Sequence, residues 1–202
     1  MAGFEDAAGE IIGLYRRHAA AWDARRGDKL VEQAWLDRFL DLVPAGGELL
    51  DLGCGSGRPV ARYCIERGYR ITGVDSSPEL IDLCRERFPG QSWLEADMRT
   101  LDLGRRFGGL LAWHSLFHLT HANQRTMFDV FQAHAQPGAP LLFDCGWNHG
   151  YAMGEFEGER LFHASLDPDE YRALLTGHGF EVIAHEPAMD VGAGVLWLAR
   201  AL

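Results

Sequence analysis

The run Glu48-Leu-Leu-Asp-Leu-Gly-Cys-Gly-Ser-Gly57 restricts what this chain can fold into more than any other segment. An apolar strand that leads straight into glycines at 53, 55 and 57 makes a turn whose backbone reaches positive φ and lets a ligand approach the main chain. In open α/β sheets such a turn sits at the carboxyl end of the first strand, where ligands bind. The residues around it separate two ligand classes. A dinucleotide turn, GxGxxG, needs a sixth-position glycine, but Arg58 stands there and Pro59 follows. Asp51 adds a carboxylate at the strand end, unfavourable beside a diphosphate and favourable beside a cationic amino group or sulfonium.

Beyond residue 45 short apolar runs alternate with amphipathic stretches, the pattern of a parallel sheet covered by helices. Strands are expected at 48–52, 70–74, 91–95, 109–113, 139–144, 180–185 and 194–200, and helices near 58–67, 77–88, 121–135 and 168–177. Gly68 reads as a helix C-cap, and Ser76-Ser77-Pro78-Glu79 and Asp167-Pro168-Asp169-Glu170 each read as a cap followed by a first turn. The first 45 residues read as two amphipathic helices, with Phe4, Ile11, Ile12, Tyr15, Ala19 and Trp22 at helical spacing, covering one end of the sheet. The stretch 145–160, rich in glycine and aromatic residues, shows no clear period and reads as a long loop at the ligand-binding end. Trp147, His149, Tyr151 and Phe156, followed by Phe162 and His163, make it a candidate substrate lid. Packing against the N-terminal helices suits the same aromatics equally well.

A chain of 202 residues fits one domain, with 1–45 as a helical cover and 46–202 as the core. Nineteen Lys and Arg against 29 Asp and Glu give a net charge of -10, which repels phosphate backbones and anionic membranes. Nucleic acid and membrane partners are therefore not expected. Cys54, Cys64, Cys84 and Cys145 form no CxxC pair, so neither a zinc site nor a disulfide scaffold is suggested, and no metal is expected. Reduced thiols and the lack of a basic, apolar leader pattern suit a cytoplasmic protein, as monomer or homodimer.

Two further strand ends carry acids. Asp75, 22 positions after Gly53, is placed to accept the hydroxyl hydrogens of a ribose. Glu95-Ala-Asp97-Met98 offers a carboxylate to an adenine amino group and a thioether to its ring face.

In this order DLGCGSG, GVDSS, EADM and AWHSLFHL resemble the motifs of class I S-adenosylmethionine-dependent methyltransferases over roughly residues 10–202. The resemblance implies a Rossmann-like α/β fold with a seven-stranded mixed sheet, six strands parallel and one antiparallel, helices on both faces, and S-adenosylmethionine as cofactor. It implies that Gly53, Cys54, Gly55 and Gly57 line the methionine part and that Asp51 orients the glycine loop. Asp75, with Ser76 beside it, would hold the ribose, and Asp97 and Met98 the adenine. Trp113, His114 and Ser115 would lie beside the sulfonium, and Tyr15, Trp22 and Arg26 would close over the cofactor. Many members carry an acidic residue where this chain has His114.

The activity implied is methyl transfer to a small molecule. Such a transfer is an in-line displacement that often needs a base. His114 and His118 follow the fourth strand and are the candidates, with packing or capping as their alternative role. Tyr15, Trp147, His149, Tyr151 and His163 are the candidate substrate contacts. Two rival readings remain open here, an NAD-dependent oxidoreductase and a non-catalytic S-adenosylmethionine binder.

Overall fold

The computed structural model describes residues 2–202. Its strands are β1 (Glu48–Leu52), β2 (Arg70–Asp75), β3 (Ser92–Glu95), β4 (Gly109–Ala112), β5 (Pro140–Cys145), β6 (Gly150–Phe156), β7 (Glu159–Ser165), β8 (Phe180–Pro187) and β9 (Val195–Ala201). Seven of them form one sheet in the order β3-β2-β1-β4-β5-β9-β8, in which β9 runs antiparallel to both neighbours and the other six share one direction. Every residue of β4 and β5 is buried, as strands covered on both faces require.

The helices are α1 (Ala2–Arg17), α2 (Ala19–Arg26), α3 (Gln33–Leu40), α4 (Val60–Glu66), α5 (Pro78–Arg87), α6 (His121–His134) and α7 (Pro168–Gly177). One sheet face packs under α3, α4 and α5 through Phe39, Val60, Cys64 and Ile81. The other packs under α6 and α7 through Phe128, Phe131, Tyr171 and Leu175. Both Pro-containing caps form as the sequence predicts. Ser77 Oγ accepts the Leu80 N–H at 3.4 Å and the Asp167 carboxylate accepts the Asp169 N–H at 2.9 Å, with proline in the first turn of each helix. No helix among the described residues is long and apolar enough to cross a membrane.

Two expectations need correction. The first 45 residues hold three helices, because α1 and α2 part at His18 and α3 belongs to the sheet cover. The stretch 145–160 is not a long loop, since most of it lies in a β6–β7 hairpin. Glu157 and Gly158, at φ +51° and +78°, make the two-residue turn, whose paired positive φ angles match the twist of the flanking strands. The buried side of the hairpin packs Phe162 and Ala164 on Ala7 and Ile11 of α1. Arg17 pairs with Glu159, while Arg16 reaches Ser76 O and Glu95. These exposed pairs are screened by solvent and contribute little, so apolar burial seats α1.

The fold opens a crevice at a defined place. β1 lies between β2 and β4, so the chain order reverses there, and the carboxyl ends of β1 and β4 flank the gap.

Candidate active site

A cavity of about 300 Å³ fills that crevice, floored by the ends of β1, β2 and β4 and roofed by α1 and α2. The turn after β1 is built by close approach. The N–H groups of Gly53 and Cys54 both donate to Val74 O, at 2.8 and 3.0 Å. Gly53 sits at φ +80°, and a Cβ there would lie 2.4 Å from Ser115 Cβ. Ser115 is itself fixed by donating to Leu52 O at 2.7 Å. The Gly55 and Ser77 N–H groups donate to separate oxygens of Asp75, both at 2.9 Å. The Trp22 indole covers the turn, 3.3 Å from where a Cβ on Gly55 would sit. Gly53, Cys54 and Gly55 line the cavity. Gly57 does not, because it faces back onto Phe88 and Cys84.

Asp51 is buried on the cavity floor and makes no hydrogen bond among the described residues. Burial, then the neighbouring charge of Asp75, pushes its carboxyl up to about 7. Burial pushes the Cys54 thiol well above its ordinary range, which suits a packed filler and not a nucleophile. At the same end of the cavity, Arg26 pairs with the buried Glu32, and Arg58 bonds Asp23 at 2.8 Å and Asp28 at 3.2 Å. Arg87 also grips Asp23, at 2.6 Å, and its guanidinium holds that carboxyl well below the carboxylate range. These bonds fasten α2 over the glycine turn. At the far end lie Ser76, Asp97 and Met98. Asp97 accepts the Arg99 backbone N–H at 2.9 Å and pairs with its guanidinium, which lowers the Asp97 pKa. Trp113 lines the middle, with a buried Nε1 that has no partner among the described residues.

The two histidines after β4 have different settings. His118 Nδ1 lies 2.9 Å from Phe162 O, which only accepts, so Nδ1 carries the proton. Its Nε2 then accepts from the Tyr15 hydroxyl at 2.8 Å. Burial, then the charge of His163, lowers the His118 pKa to about 3. With both nitrogens engaged and a low basicity, His118 is a bracket between α1 and β7, which corrects its expected role as a base. His114 Nδ1 lies 2.7 Å from Asp144 Oδ2, and the His114 backbone N–H donates to Asp144 Oδ1 at 2.6 Å. The residue has φ +51°, a strained conformation for a side chain of this type. Its Nε2 makes no hydrogen bond among the described residues, and the ring lines the cavity.

The expected substrate contacts divide. Tyr15 lines the first cavity. Trp147, His149, Tyr151 and His163 line a second, of about 490 Å³, between the end of β5 and the hairpin. Phe156 faces the N-terminal helices, against Tyr15, Trp22 and His18. Phe117 and Asp144 are among the lining residues that escaped the sequence reading. The signal for Asp144 was there, a single acid in the wholly apolar run Pro140-Leu-Leu-Phe143 leading to Cys145.

A family model described as a methyltransferase domain matches residues 49–138. The malonyl-[acyl-carrier protein] O-methyltransferase of Serratia marcescens is 38% identical over 199 residues, covering 95% of this chain and 76% of that protein. The chain belongs to the class I S-adenosylmethionine-dependent methyltransferases. Another relative is the dTDP-3-amino-3,6-dideoxy-alpha-D-glucopyranose N,N-dimethyltransferase of Streptomyces fradiae, 28% identical over 71% of the chain. The chain spans 62% of that relative's length. The chain also shares its fold with the 1,6-didemethyltoxoflavin-N1-methyltransferase of Burkholderia thailandensis, at a TM-score of 0.75 and 20% identity, covering 98% of this chain and 90% of that one.

Proposed function

We propose that the chain transfers a methyl group from S-adenosylmethionine to a small-molecule acceptor. The observation that carries this reading is Asp51, a buried acid on the cavity floor without a hydrogen-bond partner among the described residues. A cationic ligand group beside it would restore its ionised form.

The other lining residues fit the rest of that cofactor. Arg26 and Arg58 suit its carboxylate, and the Gly53–Gly55 backbone leaves room for its methionine part. Each Asp75 oxygen spends one lone pair on a backbone N–H and keeps another for a ribose hydroxyl. Asp97 and Met98 suit the adenine, and Trp113 Nε1 offers an uncommitted donor. When bound, the cofactor supplies a methyl group made electrophilic by its cationic sulfur.

The protein's own contribution is approach and exclusion of water. The α1–α2 roof, fastened through Asp23 and by Tyr15 on His118, covers the cofactor cavity. The second cavity suits the acceptor, and its wall includes Asp144, which holds His114 of the first cavity. A dinucleotide reading finds less support, because a diphosphate at the turn would meet Asp51. Relatives named for both O- and N-methylation leave the acceptor atom open.

Thermal shift with S-adenosylmethionine and with NAD, then mass detection of S-adenosylhomocysteine formed with an acceptor panel, tests this reading. Stabilisation by the first ligand and turnover with an acceptor are expected. Stabilisation by NAD alone would overturn it, and binding without turnover across the panel would favour a non-catalytic binder.

A further inference from the structure

The Asp97 carboxylate at the far end of the first cavity is turned away from any ligand. Asp97 caps the short turn Met98–Thr100, and its side chain folds back on Arg99. Oδ1 accepts the Arg99 backbone N–H and its Nε–H, both at 2.9 Å. Oδ2 accepts the same Nε–H at 2.9 Å and an Nη2–H besides. A carboxylate has about four acceptor sites, and here all of them face one residue. Asp75 differs, because each of its oxygens accepts a single backbone N–H. An adenine amino group that reached for Asp97 would have to displace a charge-assisted bond to Arg99, which is stronger than the neutral bond replacing it.

Arg99 is in the opposite state. Its guanidinium carries five N–H donors, of which the bonds to Asp97 spend only those on Nε and one on Nη2. Nη1 makes no hydrogen bond among the described residues, and the side chain lines the cavity. The two side chains are 35% and 32% exposed, so the pair adds little to stability. Its effect is local: it presents the cavity with a fixed planar set of donors and no free acceptor.

We propose that Arg99, held by Asp97, reads the base of the cofactor by donating an N–H to a ring nitrogen of adenine, so that binding does not depend on the exocyclic amino group. This rests on the methyl-transfer reading above. Ring nitrogens accept hydrogen bonds and the amino group donates them, so a guanidinium pairs with the former alone. A base with a carbonyl oxygen in place of the amino group keeps an acceptor ring nitrogen and gains a second acceptor, the edge an arginine fork matches. A free Asp97 carboxylate would reject that base, since two acceptors would face each other. Arg99 is thus the binding residue and Asp97 a positioning residue that acts through it.

The test is isothermal titration of the purified full chain with S-adenosylhomocysteine and with S-inosylhomocysteine, which carries the 6-oxo base. The wild type is expected to bind the two within about threefold of each other. Arg99→Ala should weaken both about tenfold, the size of one hydrogen bond to a charged group. Asp97→Asn should weaken both by no more than that. The double variant should bind no worse than Arg99→Ala alone, the non-additivity of a residue that works through another. Urea titration checks that the variants are folded, and the comparison of the two ligands on the wild type stands whether or not they are. S-inosylhomocysteine bound about tenfold or more weakly than S-adenosylhomocysteine by the wild type would assign the amino group to a direct acceptor and overturn the proposal. Unchanged affinity in a folded Arg99→Ala would overturn it too. A wild type that binds neither ligand defeats the methyl-transfer reading, whereas one that binds S-adenosylhomocysteine alone defeats only this inference.

Discussion

The Tyr15 hydroxyl donates to Nε2 of His118 at 2.8 Å, joining the roof helix α1 to the turn that follows β4. The same imidazole holds Phe162 O of β7 through Nδ1, so three distant segments meet at one ring. Tyr15→Phe leaves Nε2 buried without a donor. A loss of about 1–3 kcal/mol in unfolding free energy is expected, measured by urea denaturation. Unchanged stability would show that the bracket carries no weight.

The same ring gives the fold an acid sensitivity. Its pKa falls from 6.5 to about 3 on folding, because burial disfavours the charged form. The unfolded chain then binds a proton that the folded chain does not, between those two values. Stability from this group is complete above about pH 6.5 and is lost as the pH falls toward about 3. His118→Asn should flatten that part of the stability profile, as read by urea titrations at pH 7 and at pH 5. A profile as steep as that of the wild type would contradict the assignment.

Asp51 trades stability for binding. Its folded pKa of about 7 lies above the ordinary 3.8, so the fold is most favoured where the group is protonated, below the lower value. That contribution is lost as the pH rises through about 7. At pH 8 the carboxylate is therefore a burden on the order of a few kcal/mol, and Asp51→Asn should raise the melting temperature. The same change should weaken S-adenosylhomocysteine binding at least tenfold. A variant that binds normally would remove Asp51 from the cofactor site.

Ionisation of Asp51 should also be visible in the wild type. A cationic ligand group prefers the carboxylate, so binding below about pH 7 should release a proton, and affinity should rise as the pH is brought up through that value. Calorimetry in buffers of different ionisation enthalpy counts the proton. Proton uptake would be the wrong sign.

Two glycines at positive φ separate strain from shape. Gly53→Ala places a methyl 2.4 Å from Ser115 Cβ at φ +80°, whereas Gly46→Ala at φ +70° meets nothing within 4 Å. Both should lose about 1–3 kcal/mol from backbone strain, but only Gly53→Ala should also abolish cofactor binding. Calorimetry on both variants, with circular dichroism to check folding, makes the comparison.

The core sheet was legible because its signals are local. Apolar runs for β1 to β5, two Ser/Asp-Pro caps and the glycine turn all lie within a few residues of what they specify. The hairpin was not, because its turn is Glu157-Gly158 where Asn-Gly or Asp-Gly is the strong signal, and because Tyr151 and Met153 are exposed while Phe156 and Phe162 are buried against α1. The strand-end acids could be read from position. The division of labour between His114 and His118 could not, because it depends on Asp144 and Tyr15, 30 and 103 residues away from them. Gly57 was misplaced for a related reason: its spacing matches the turn, but its orientation is set by Phe88 and Cys84.

Isothermal titration of the purified protein with S-adenosylmethionine and S-adenosylhomocysteine tests the central claim most directly. Micromolar binding of both, lost or strongly weakened in Asp51→Asn while that variant stays folded, is the result expected. A wild-type protein that is folded and binds neither would contradict the account of the cavity.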